Sequence, residues 1–247
     1  MVPFLLAWQF LSIIPVKVKK TSDQDLAQSL VYFPVAGLLL GLILAGLKII
    51  LGALGMNPLS LVMVLVVALI ALTGGIHLDG LADTLDAFLS RKNKEEMLAI
   101  MRDSHAGVMG ILGIVSAVLL KIALFFSLQN SLLPMALIIS CLLSRWALVY
   151  AIFLFPYARK EGKAGVYFSG ITRKIFTLCT IITLACLLIL AGFKGLIILI
   201  VCAAGIYLFG RFSCKKIGGL TGDVLGAINE IAEIAVLFSL FILRSHG

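Results

Sequence analysis

Long apolar stretches separated by short polar connections give this chain its outline. Seven such runs fall near residues 30–52, 59–76, 107–128, 132–155, 175–191, 195–210 and 225–243. Each approaches the ~20 helical residues needed to cross a hydrocarbon core about 30 Å thick. The pattern predicts an all-α polytopic integral membrane bundle of about seven transmembrane helices, with residues 1–247 forming one membrane domain. Residues 1–15 are apolar but short and bounded by prolines, so an interfacial or re-entrant piece is expected there. They lack a basic n-region and an Ala-x-Ala-like cleavage site, which argues against a removable signal.

Composition agrees with the pattern: 62% of the 247 residues are hydrophobic and only 13% are charged. Ordinary soluble domains sit near half apolar and a quarter charged. The charges are unevenly placed. Fifteen of the 20 Lys and Arg residues fall in four connections, at 17–29 (Lys17, Lys19, Lys20), 77–105, 157–174 and 211–223, whereas the intervening turns contribute only Lys194. By the positive-inside rule all four charged connections face the cytoplasm of an inner-membrane protein. With a topological account for most of the basic residues, and no aromatic-interleaved basic groove, no nucleic-acid partner is expected. Five cysteines, Cys141, Cys179, Cys186, Cys202 and Cys214, show no Cys-x-x-Cys spacing and read as reduced packing residues.

One charged connection opens with Gly-Gly-Ile-His-Leu-Asp-Gly-Leu-Ala-Asp-Thr-Leu-Asp at 74–86. At about 100° per residue, Asp83 lies about 40° from Asp79 and Asp86 about 20° to the other side, so three carboxylates share one helix face. Leu78, Leu81, Ala82, Leu85 and Phe88 cluster opposite. Such acids repel one another by a few tenths of a kcal/mol per pair, roughly, unless a cation sits among them. Hard oxygen ligands at one focus suit Mg2+, which takes a few carboxylates plus phosphate oxygens. The competing reading is an amphipathic surface helix whose acids only face water.

A second segment, residues 218–230, echoes the first at an offset of 144: Gly-Gly on Gly-Gly, Asp223 on Asp79 and Glu230 on Asp86, with Ala227 standing where Asp83 would be. Asp223 could be a further ligand or merely a helix N-cap. A third segment, Arg102-Asp103-Ser104-His105-Ala106-Gly107, opens the run at 107–128. Its arginine, serine and free N–H groups could seat a phosphate, while glycines at 107, 110 and 113 more simply permit close helix packing. Arg145, central in its run, costs about 2.5–3.5 kcal/mol on insertion scales and should meet a phosphate or a carboxylate; Glu230 and Glu233, one or two turns into an apolar span, each want such a partner or a cation. Lys48 and Lys121 fall toward outer span ends, where snorkelling suffices. His77 and His105 are isolated, so interfacial hydrogen bonding is the simpler reading for each.

At these residues the chain resembles the cobalamin synthase family, the adenosylcobinamide-GDP ribazoletransferases. The likeness rests on 74–86, on Ile100-Met101-Arg102-Asp103-Ser104 with Gly107 and Gly110, and on Gly219-Leu220-Thr221-Gly222-Asp223 with Gly226. Phe10-Leu11-Ser12-Ile13-Ile14-Pro15 and Tyr32-Phe33-Pro34-Val35-Ala36-Gly37 fit as well. The resemblance implies a Mg2+-dependent inner-membrane enzyme of late cobalamin biosynthesis that joins adenosylcobinamide-GDP to alpha-ribazole or its 5'-phosphate and releases GMP. Its partners would be those substrates and the lipid bilayer, and it leaves open a homo-oligomer or an assembly with other late corrinoid-pathway enzymes.

Such a transfer consists mostly of positioning and charge neutralisation. Asp79, Asp83 and Asp86 are then the expected Mg2+ ligands, with Asp79, Asp83, Asp223 and Arg102 at the chemistry. Arg145, Ser104, Asp103, Gly107, His77 and Glu230 are the expected substrate contacts. Two alternatives stay open. An ion-coupled secondary transporter would use Arg145 and Glu230 inside the membrane. A CDP-alcohol-type phosphotransferase wants Asp-x-x-Asp-Gly-x-x-Ala-Arg, which Asp79-Gly80-Leu81-Ala82-Asp83 matches only in part.

Overall fold

A computed structural model describes residues 1–18, 21–128 and 130–243; Lys19 and Lys20, counted above in the first charged connection, lie outside the described residues. Among the described residues the chain is helical throughout. It comprises α1 (Val2–Leu11), α2 (Asp23–Ser29), α3 (Phe33–Ala53), α4 (Pro58–Thr73), α5 (Ile76–Leu89), α6 (Lys94–Ile100), α7 (Val108–Ser127), α8 (Leu133–Leu154), α9 (Gly165–Gly170), α10 (Arg173–Ile217) and α11 (Gly222–Leu243).

Helix starts follow local chemistry. Ser22 with Asp25, and Asn93 with Glu96, form capping boxes at α2 and α6, where each partner satisfies a backbone N–H that would otherwise be orphaned. The Asn57 side chain accepts from Leu59 N at 3.0 Å ahead of Pro58, and the Thr172 hydroxyl accepts from Ile175 N at 3.2 Å.

Five helices, or continuous helical stretches, are long and apolar enough to cross a membrane: that containing α3, and α7, α8, α10 and α11. α10 is a hairpin. Gly192 is non-helical at φ 55, ψ −142, and a Cβ on Gly195 would stand 3.0 Å from the Leu187 carbonyl. Residues eight apart are about 12 Å apart along a continuous helix, so this contact requires the chain to turn back. The expected runs at 175–191 and 195–210 are its two arms. α4 is shorter, at 16 residues, and α1 spans only 10, in keeping with a piece that does not cross.

α8 is the axis of the bundle. Of its apolar window 83% is buried, against 17% for α10, so α3, α10 and α11 wrap around it and turn their outer faces to lipid. Ile181, Ile189, Phe193, Ile200 and Leu208 are exposed along α10, as a lipid-facing helix requires. Cys141, Cys179 and Cys202 are buried and free, consistent with packing.

Candidate active site

The site begins at a turn. α4 ends on Gly74 (φ 64) and α5 starts after Gly75 (φ 70), two successive left-handed residues that only glycine adopts without steric cost. The two helices meet there at 88°, and α5 packs along the first half of α7: Asp86 meets Gly107 and Gly110, and Leu78 and Leu81 share a buried cluster with Ala117. Ile13 N donates to Leu72 O at 2.8 Å and pins the N-terminal segment against the turn. Leu78, Leu81, Ala82 and Phe88 are buried, Asp79 is exposed, and Asp83 and Asp86 are half-buried. The amphipathic division read from the sequence is therefore present.

α5 crosses α11 at a point where neither helix carries a side chain. A Cβ on Gly80 would stand 2.6 Å from Asp223 O, and one on Gly226 would stand 3.0 Å from Gly80 Cα. The two echoing glycine-and-acid segments thus pack directly on each other, which brings Asp223 into the neighbourhood of the acids on α5. Asp223 does not cap α11. Thr221 Oγ1 accepts from Val224 N at 3.2 Å and donates to Asp223 Oδ2 at 3.2 Å.

Arg159 was missed by the sequence reading, which assigned it only to topology. After α8 the chain pairs with residue 220: Ala158 N donates to Leu220 O at 2.8 Å and Leu220 N to Pro156 O at 2.9 Å. That short bridge carries Arg159 to Asp223, whose Oδ2 accepts from Arg159 Nη2 at 2.7 Å. Arg159 Nε is buried with no hydrogen-bond partner. The only sequence signal was its position, four residues beyond the end of a span. Arg102 is exposed, yet near enough for its charge to act on the Tyr157 phenol, together with Arg159 and Asp223; burial raises that phenol's pKa above the usual value.

Asp86 has a different task from the one expected. Its Oδ2 accepts from Gly107 N at 2.7 Å and its Oδ1 from Gly110 N at 2.8 Å, so it caps α7 from a neighbouring helix. The N–H groups proposed for a phosphate at the start of α7 are already engaged, and the phosphate seat at Gly107 is corrected on that ground. The glycines at 107, 110 and 113 do pack closely against Asp86, Ala82 and Leu85 of α5. Ser104 is exposed, and Asp103 pairs with His105 at 2.6 Å. That pairing lowers the pKa of the Asp103 carboxyl and raises that of the His105 imidazole.

Charge accumulates around Asp83. Burial, then the charges of Asp79, Asp223 and Asp86, push its pKa up to about 6, with Arg159 opposing them. Four carboxylates are thus close enough to feel one another at a partly desolvated place. Among the described residues no three His, Cys, Asp or Glu side chains form a ready metal cage, since Asp86 is turned to α7 and Asp223 to Arg159. The donor set is all oxygen, and among the described residues no hydrogen bond or ion pair occupies Asp79 or Asp83. This suits Mg2+, which binds through one or two carboxylates and completes its octahedron with water and phosphate oxygens.

The intramembrane charges form a separate network. Arg145 Nη1 donates to Glu233 Oε1 at 2.6 Å, and Lys121 Nζ lies 2.6 Å from Glu230 Oε2 and 2.5 Å from Glu233 Oε2. Asn229 Nδ2 also donates to Glu233 Oε1, at 3.0 Å. Two expectations are corrected. Arg145 pairs with Glu233, one of the two glutamates offered to it, and being fully buried in α8 it does not open onto the acids of α5 as a substrate contact would. Lys121 does not snorkel: at 3% exposure it bridges both glutamates, because the centre of the bundle holds two carboxylates that lipid cannot solvate. His77, expected as a substrate contact, is buried in the first turn of α5, where Gly226 of α11 packs against its backbone.

Comparison with known proteins adds to this geometry. The model of the family described as cobalamin-5-phosphate synthase matches residues 3–241. A protein of Desulforamulus reducens named adenosylcobinamide-GDP ribazoletransferase is 39% identical over 233 residues, covering 94% of this chain and 93% of its own. Proteins of the same name from Roseiflexus sp. and Pseudomonas savastanoi pv. phaseolicola are 41% and 34% identical, covering 95% and 98% of this chain and 87% and 100% of their own. No solved structure matches.

Proposed function

The chain belongs to the cobalamin-5-phosphate synthase family, and from that premise we propose that it is a Mg2+-dependent adenosylcobinamide-GDP ribazoletransferase, acting at the cytoplasmic side of the inner membrane. A ribose hydroxyl of alpha-ribazole, or of its 5'-phosphate, attacks the corrinoid-linked phosphorus of the pyrophosphate. The new O–P bond forms as the bond to the GMP oxygen breaks, and the hydroxyl proton leaves for a base or water.

The observation that carries this reading is the packing of Gly80 on Asp223 and Gly226 where α5 crosses α11, which sets Asp223 and its partner Arg159 beside the helix that carries Asp79 and Asp83. Asp79 and Asp83 would hold Mg2+, which when bound supplies charge neutralisation and a template on the diphosphate. Arg159 and Arg102 offset charge on the phosphate oxygens. Asp223, which accepts from Arg159, would accept a hydrogen bond from the attacking hydroxyl.

The transporter alternative needs free intramembrane charges, whereas Arg145, Lys121, Glu230 and Glu233 are paired with one another. Purified protein given Mg2+, adenosylcobinamide-GDP and alpha-ribazole should yield equal amounts of GMP and a corrinoid product. Absence of both with each ribazole form, at saturating substrates, would refute the assignment.

A further inference from the structure

The geometry points to an aromatic subsite beside the acidic face: a cavity walled by Phe10, Phe33 and Tyr167 that receives the planar heterocyclic base of the acceptor nucleoside. This rests on the reading above that the acceptor is a nucleoside. The cavity is overwhelmingly apolar, lined also by Leu148 and Ile152 of α8, with His77 as its sparse polar group. The Phe10 ring lies 5.8 Å from Phe33, near parallel, and 5.4 Å from Tyr167; Phe33 and Tyr167 meet edge to face at 5.9 Å. The three rings thus form a contiguous aromatic wall, and Gly222 and Gly226 of α11 also line the space.

Its position selects the occupant. Phe10 and Ile76 also line an adjoining open groove, of about 1110 Å³, that contains Asp79, Ser12, Thr73 and the Gly74–Gly75 backbone. The two spaces share a wall, so the molecule they fit has a polar, phosphate- or ribose-bearing half toward Asp79 and a flat apolar half toward Phe10. Gly222, in the wall, directly precedes Asp223. A nucleoside whose ribose hydroxyl must reach the acids while its base stays out of water has this division. A phospholipid has the same polar and apolar halves but no planar ring to set against Phe10, Phe33 and Tyr167, and the aromatic wall favours the nucleoside on that ground.

Two substitutions test the subsite. Phe10→Ala removes one wall at a residue that is 41% exposed, and Ala164→Phe fills the cavity from the loop before α9. Each should raise the KM for alpha-ribazole about tenfold, the loss expected for one aromatic contact. The KM for adenosylcobinamide-GDP and kcat should stay within about twofold. Direct titration of alpha-ribazole in detergent, without the corrinoid, should show the same weakening. An unchanged acceptor KM in folded variants, or a rise confined to the corrinoid substrate, would overturn the subsite. Loss of co-purifying phospholipid with unchanged acceptor affinity would do the same and assign the cavity to an acyl chain. The two readings fail separately. If the wild type turns over and neither variant shifts the acceptor, only the subsite falls. If it binds acceptor in a Phe10-dependent way yet makes no product, only the reaction falls.

Discussion

Arg159 holds Asp223 at 2.7 Å across the join between the end of α8 and the start of α11. The pair is only part-buried, so its worth lies in placement more than in stability. The guanidinium keeps a buried, unpartnered Nε, a donor still to be satisfied. A phosphate oxygen arriving beside Asp83 would satisfy it and give the arginine a second anion to hold.

Replacing Arg159 should therefore damage catalysis more than folding. Arg159→Ala is expected to lower kcat about 10²- to 10³-fold, the usual loss for one charge-stabilising donor. Arg159→Lys keeps the charge but not the planar fork, and should recover only part of the rate. GMP release, with thermal unfolding in detergent as control, measures both. A kcat within twofold of wild type in Arg159→Ala would remove the residue from the site.

Asp83 gives a pH signature. Its pKa in the fold is about 6, above the value near 3.9 of an unfolded chain, so the folded state keeps its proton longer. Below about pH 4 both states are protonated and the group contributes nothing. Between about 4 and 6 only the unfolded state ionises, so stability without metal falls as pH rises and the cost is complete above about 6. Bound Mg2+ needs the ionised form, so its apparent affinity should climb through about pH 6 and flatten above it. Asp83→Asn should insert and fold, lose both pH steps and turn over at a small fraction of the wild-type rate. Calorimetric Mg2+ titration from pH 5 to 8 tests this; an unchanged profile in Asp83→Asn would dismiss the ligand assignment.

Asp86 separates capping from metal binding. Asp86→Ala leaves Gly107 N and Gly110 N without their acceptor and should cost about 1–2 kcal/mol of stability with or without Mg2+. Asp86→Asn keeps one acceptor oxygen and should lose less. Thermal unfolding of both variants at saturating and zero Mg2+ is the check. A destabilisation seen only with Mg2+ would return Asp86 to the ligand role and away from α7.

The difference between the two outcomes for the acids was partly legible in the sequence. Spacing placed Asp79, Asp83 and Asp86 on one face because helical periodicity is local. It could not say that Asp86 would be met by the start of α7, since residues 86 and 107 approach only after α5 turns 88° from α4. The double glycine at 74–75 was the signal for that turn. Arg159 was hidden for a related reason: its meaning depends on a two-hydrogen-bond bridge between residues 156–158 and 220, and a cation at a cytoplasmic span end already has an explanation in topology. The apolar runs marked the spans well because burial of about 20 consecutive residues in lipid leaves few alternatives.

Arg145 was legible as a buried residue needing an anion, and of the two glutamates that could supply it the fold selects Glu233, which a double-mutant cycle can test. Arg145 Nη1 touches Glu233 Oε1, whereas Glu230 is held by Lys121. Arg145→Met alone leaves Glu233 under-compensated in the bundle and should cost about 3–5 kcal/mol. Combining it with Glu233→Gln removes both charges of one pair and leaves Lys121 opposite Glu230. The coupling energy from that cycle should therefore be large, within the range of about 0.5–3 kcal/mol seen for contacting residues. The cycle with Glu230→Gln should give less, because Lys121 stands between Arg145 and that carboxylate. Unfolding of the single and double variants in one detergent supplies both numbers. Equal coupling in the two cycles would mean that the four charges act as one delocalised cluster and not as the chain the distances define, from Glu230 through Lys121 and Glu233 to Arg145.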